Sequence, residues 1–217
     1  MRKLLMGLVA STALVAAGAA SAHVDVTIYH TDAGAAAAAA NATIAQAATM
    51  TADATVAVGA INFTDAPGND SNNFTVGAFL NNPAGLDPTV AAYHLNNTYF
   101  LFTGTLFLNA GANAFSVPHD DGLQLHIDGI SPNFIVDAPG PTPPVTNNFN
   151  VNAPAAGTYN FQLSYGETAG GPAVLFFGIN DAPVGGGVPE PATWAMMLAG
   201  FGGLGAMMRR RRAMVAA

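Results

Sequence analysis

Asp120 and Asp121 stand side by side before Gly122, in the run His119-Asp120-Asp121-Gly122-Leu-Gln-Leu-His126-Ile-Asp128-Gly129. Two adjacent carboxylates in a tight turn repel one another. The chain around them offers no ammonium or guanidinium in relief. All six lysines and arginines lie at the ends, and of the 13 acidic residues only Glu190 lies in the C-terminal segment, so 23–187 holds 12 carboxylates and no obligate cation. Two readings stay open. A divalent cation can sit there: calcium takes about 6–8 oxygen ligands from carboxylates, amides, backbone and water, all abundant here. Alternatively, both aspartates cap a turn by accepting backbone N–H groups.

Other chemistry is more sparsely signalled. If His23 becomes the N-terminus after export, its α-amine and imidazole could hold copper together with one of His30, His94, His119 or His126, as in a secreted copper-dependent polysaccharide-active enzyme. His119, His126 and Asp120 could hold zinc, but the two histidines are seven residues apart across a turn and read better as exposed polar residues. Ser116, Ser131 and Ser164 sit in no nucleophile motif, and nothing marks a second catalytic carboxylate, so no enzyme is expected. A body without cations cannot neutralise phosphates, which excludes nucleic acid. With no cysteine there are no disulfides, thiolate zinc sites or cysteine nucleophiles.

These residues must be positioned mainly by strands. Leu123, Leu125 and Ile127 alternate with Gln124, His126 and Asp128, which places the two sets on opposite faces. The same β-branched and aromatic character recurs in Val24–Tyr29, Thr55–Phe63, Phe74–Leu80, Tyr99–Leu108, Ala114–Val117, Phe134–Val136, Phe149–Val151, Gly157–Tyr165 and Ala173–Ile179. Clusters of Asn, Asp, Gly and Pro separate these runs. The fold class expected is all-β, an antiparallel β-sandwich. One short Ala-rich helix is expected from about Ala33 to Ala48, capped by Thr31 or Asp32. Ala138–Pro144, with four prolines, reads as a rigid surface loop.

The two ends read as addresses. Met1-Arg2-Lys3, the uncharged Leu4–Ala17 and the small residues Ala20-Ser21-Ala22 make a signal peptide over 1–22, leaving a sandwich domain at 23–182 and a Gly/Pro linker at 183–188. Residues 189–212 form a sorting and anchor segment with a C-terminal hydrophobic helix, and 213–217 a short tail. Trp194, the apolar Met196–Met208 and Arg209–Arg212 form a stop-transfer pattern, shorter than the ~20 residues that span a bilayer comfortably. Pro189-Glu190-Pro191, Trp194-Ala195, the Gly-rich span and the arginine cluster closely resemble the PEP-CTERM sorting signal of Gram-negative bacteria, in its PEP-x-x-W-A form. The resemblance implies recognition and cleavage by an exosortase near Pro189-Glu190-Pro191, transient membrane attachment, and delivery to the cell surface or exopolysaccharide matrix.

The body resembles a second family. Asp120-Asp121-Gly122-Leu-Gln-Leu125-His-Ile127-Asp128-Gly129, with Ala156–Tyr159, Leu163–Glu167 and Gly171–Ala173, is similar to the protective-antigen-type (PA-fourteen) domain of toxins, glycosidases, adhesins and flocculins. The likeness runs over roughly 60–180. It implies that Asp120 and Asp121, joined by a cis peptide, hold calcium, which chelates two sugar hydroxyls. A further ligand would come from a later loop, with Glu167 and Asn180 as candidates; Asp128 would stabilise the turn at Gly129. The expected function is an exported, calcium-assisted carbohydrate- or exopolysaccharide-binding module of adhesin type. The alternative is a non-binding structural protein of a biofilm matrix.

Overall fold

Val24, Val26 and Ile28 are buried and alternate with half-buried Asp25 and Thr27, so β1 (Val24–Tyr29) has one face committed to a core. The computed structural model describes residues 24–64, 74–168 and 171–185. Signal peptide, sorting segment and His23 lie outside them, and so does the expected C-terminal helix. Among the described residues no helix is long and apolar enough to cross a membrane.

Among the described residues eleven further strands follow: β2 (Ala54–Val58), β3 (Asn62–Thr64), β4 (Thr98–Leu108), β5 (Gly111–Asp120), β6 (Leu123–Ile127), β7 (Val136–Ala138), β8 (Val145–Ala153), β9 (Gly157–Glu167), β10 (Val174–Phe176), β11 (Gly178–Ile179) and β12 (Ala182–Pro183). One sheet has the order β2-β1-β4-β9-β6-β7, and the other β12-β11-β5-β10-β3 with β8 on the free side of β5. All pairings are antiparallel. This is the expected sandwich.

The two sheets bury a shared aromatic core. Phe100 contacts Phe102 and Tyr165, Phe63 contacts Phe102 and Phe79, and Phe177 joins Phe115 to Phe161, with ring centroids 5.5–6.1 Å apart throughout. Such offset and tilted pairs add about 0.5–1.5 kcal/mol each beyond the burial of their area.

Several expectations are corrected. The alanine helix is α1 (Ala35–Ala39) alone, followed by a separate 3₁₀ turn at Ile44–Thr49. The backbone between them is taken by tertiary partners. Ala42 N–H donates to Pro139 O (2.8 Å), Ser164 Oγ donates to Ala42 O (2.5 Å), Tyr99 OH donates to Thr43 O (2.9 Å) and Ile44 N–H donates to Gln124 Oε1 (2.9 Å). Groups so committed cannot continue a helical ladder.

Phe74–Leu80 is no strand. Val76–Phe79 forms the short helix α2, whose first turn is capped by Thr75 Oγ1 accepting from Ala78 N–H (3.2 Å). It ends at Asn81 and Asn82, both at positive φ, and packs on a further short helix, α3 (Pro88–Ala91). The run Ala173–Ile179 is cut at Phe177, which donates to Ile61 O and accepts from Val184 N–H. Val184 is buried and Pro183 lies in β12, so the fold runs past the boundary expected at 182.

Candidate functional site

Strand β5 delivers Asp120 to the end of its sheet and β6 leaves from Leu123 in the other, so Asp121 and Gly122 form the crossing between the two layers. The Asp120–Asp121 peptide is cis. Gly122 is required by close approach. A Cβ there would lie 2.2 Å from Pro139 O and 2.7 Å from Gly140 O, both backbone atoms of the proline loop. That loop, expected as plain surface, is part of the site: Thr142 N–H donates to Asp121 Oδ1 (3.2 Å).

Asp121 is only 6% exposed. Its other oxygen, Oδ2, accepts from both the N–H (2.9 Å) and the hydroxyl (2.5 Å) of Thr168, just beyond β9. One carboxylate therefore ties together the β5–β6 crossing, the proline loop and the end of β9. Asp120 is half-buried, and its carbonyl accepts from the Tyr165 hydroxyl, which also bonds Glu167 Oε2 (2.9 Å). Burial pushes the Tyr165 hydroxyl well above its ordinary pKa, and the neighbouring Glu167, Asp121 and Asp120 charges push it the same way, so it stays protonated.

Three carboxylates thus flank one buried hydroxyl in a body without lysine or arginine. They do not converge on one point: among the described residues no group of three or more His, Asp or Glu is arranged to hold a metal ion. The donor set nonetheless fits a hard cation. It is all oxygen, has no lysine or arginine within 23–187 to balance it, and could be completed by backbone, amide or water oxygens.

The other candidate residues are dispersed. Asn180, at φ 50°, accepts at Oδ1 from Ala114 N–H (2.9 Å) and donates from Nδ2 to Asn113 Oδ1 (3.3 Å). This places it beside Ala114, roughly 20 Å up β5 from Asp120 at the usual strand rise. Glu167 is brought to the aspartates and Asn180 is not. His119, expected to be exposed, is 1% exposed. Its Nδ1 lies 2.6 Å from Asp121 O and its Nε2 2.8 Å from Asn147 Nδ2. A carbonyl only accepts and an amide NH₂ only donates, so the ring is neutral with its proton on Nδ1. Burial lowers its pKa, opposed in part by Asp121. With both nitrogens engaged, His119 is no zinc ligand, while His126 faces Asp128 instead (3.4 Å). Asp128 Oδ2 lies 3.4 Å from Asn160 Nδ2, and Gly129 takes φ +73° in the turn that follows. Pro189, Glu190, Pro191 and Trp194 lie outside the described residues, as does His23 of the copper reading.

His119 was grouped with Asp120 only in the zinc reading, whereas Thr142, Thr168 and Tyr165 were not singled out as members of the aspartate site. Only the alternation that buries Leu163 and Tyr165 on the core face of β9 hinted at any of them; the threonine contacts come from loops distant in sequence.

Residues 187–212 match the PEP-CTERM protein-sorting motif. No curated protein matches the chain. Among solved structures, the PA14 sugar-binding domain from an RTX adhesin superposes with a TM-score of 0.52 at 21% identity, covering 74% of this chain and 90% of that one. The PA14 domain of the MpAFP antifreeze protein superposes with a TM-score of 0.51 at 17% identity, covering 74% and 84%. Identities this low speak for the fold alone. The body is therefore a sandwich with the PA14-domain fold, in a chain that ends with a PEP-CTERM protein-sorting motif.

Proposed function

We propose that the chain is an exported, non-enzymatic cell-surface or matrix module that binds carbohydrate with the help of calcium held at the β5–β6 crossing. The observation that carries this reading is the set of Asp120, Asp121 and Glu167 around Tyr165 with no side-chain cation in the body. Asp120, half-exposed at the rim, is the carboxylate better able to reach a cation open to solvent. Asp121 spends three acceptor positions on Thr142 and Thr168, leaves one for a ligand, and positions the loops. Calcium would supply a Lewis-acidic centre for sugar hydroxyls. The sugar-binding domain among the structural neighbours supports the glycan, and the sorting motif supports exosortase processing and surface delivery.

The hydrogen-bond load on Asp121, three of its roughly four acceptor positions, favours a second reading, a matrix protein in which calcium only rigidifies the loops. Glycan-array binding separates the two. Calcium-dependent binding that disappears in Asp120→Asn supports the lectin. Calcium binding with no glycan retained leaves the structural reading.

A further inference from the structure

β6 leaves the aspartate crossing and ends, roughly 20 Å on at the usual strand rise, at polar and aromatic groups that the proposed cation site does not use. The chain turns there at Gly129 beside a shallow, wide-open hollow of about 530 Å³ lined by His126, Asp128, Gly129, Ile130, Ser131 and Pro132. Small-molecule sites span roughly 300–1,000 Å³, so the hollow has room for a ligand. Phe134, 43% exposed and not itself part of that lining, meets the ring of His126, which is, edge-on with centroids 6.1 Å apart.

The polar groups keep bonding capacity. The Asp128 side chain is 60% exposed, and its contacts to His126 Nε2 and Asn160 Nδ2 are both 3.4 Å, long for hydrogen bonds. The carboxylate can thus accept from a ligand hydroxyl. His126, half-buried, and Ser131 add donors or acceptors beside the apolar surface of Ile130 and Phe134. An apolar ligand would leave Asp128 and Ser131 desolvated without partners. An anionic one would meet Asp128 with no lysine or arginine anywhere in 23–187. A neutral pyranose has hydroxyls for the polar groups and a C–H face for the ring.

We propose that this hollow is a second saccharide subsite, independent of calcium, which takes a neutral hexopyranose unit of a polysaccharide. The proposal rests on the glycan-binding reading above but not on its calcium. With one site at each end of β6, a single molecule can bridge two polysaccharide segments.

The test is an array of neutral and acidic glycans probed with the exported protein in excess EGTA, followed by titration of the best neutral glycan with amide shifts observed by NMR. The expected result is calcium-independent binding to neutral glycans with shifts confined to 126–135. Affinity should weaken at least tenfold in Phe134→Ala and in Asp128→Asn, be retained in Phe134→Tyr, and be unchanged in Asp120→Asn. No neutral glycan bound in EGTA, preference for acidic glycans, or binding indifferent to Phe134 and Asp128 would each overturn the subsite. Failure of this arm with calcium-dependent binding intact leaves the first site standing, whereas loss of the calcium arm alone leaves this one.

Discussion

Asp121 accepts hydrogen bonds from two loops that are far apart in sequence, and Gly122 beside it is held by the backbone of one of them. Gly122→Ala would force a Cβ to within 2.2 Å of Pro139 O, and neither backbone can yield cheaply. The expected cost is about 1–3 kcal/mol, read as a fall in Tm of roughly 2–10 °C. Gly140→Ala, where a Cβ meets nothing within 4 Å, should leave Tm nearly unchanged and serves as the control. His119 supplies the pH dependence of the same region. Burial, its larger influence, lowers the ring below the ordinary value of 6.5, so the unfolded chain takes up a proton first on acidification. The stability His119 contributes is therefore present above about pH 6.5 and is lost as pH falls through its lower folded value. His30, also lowered mainly by burial, acts in the same direction. Melting temperature measured from about pH 8 down to about pH 5 should fall, and the acid limb should flatten in His119→Gln.

Among the elements, α1 with the 3₁₀ turn after it is laid across the outer face of β4 and β9. Gly166 makes that contact possible, since a Cβ there would lie 2.2 Å from Ala39 O. Gly166→Ala should lift this segment off the sheet, seen as faster amide hydrogen exchange over 35–50 and earlier proteolytic cutting there, with exchange in β4 less affected. Unchanged protection would show that the segment is held without this close approach. The same segment marks where the sequence stopped being informative. Strands were legible because a two-residue alternation is written locally, and Val24–Tyr29 came out with its expected bounds. The alanine run carried only local helix propensity, whereas the bonds that end it come from Pro139, Ser164, Tyr99 and Gln124. Phe74–Leu80 looked like a strand because apolar residues of so short a run fit either period, and Thr75 as a cap decided for the helix. Asp120 and Asp121 were legible as a pair, yet their partners Thr142 and Thr168 were not, because nothing local ties a loop threonine to a distant carboxylate.

Across the whole molecule the formal charge of −7 averages a strongly acidic body with basic ends, and the body alone must live with 12 carboxylates. Neutral donors answer part of that charge: Thr142, Thr168 and Tyr165 bond the buried Asp121 and Glu167, and Gln124 bonds the exposed Asp137. The remainder is what a bound cation would balance. Calcium titration of the 23–187 body, whose core closes within 24–185, followed by calorimetry and thermal melting, tests this most directly. The account predicts saturable calcium binding with a Tm rise of roughly 5–10 °C at about a hundredfold excess over Kd, both lost in Asp120→Asn. No binding heat and an unmoved Tm at millimolar calcium would contradict it.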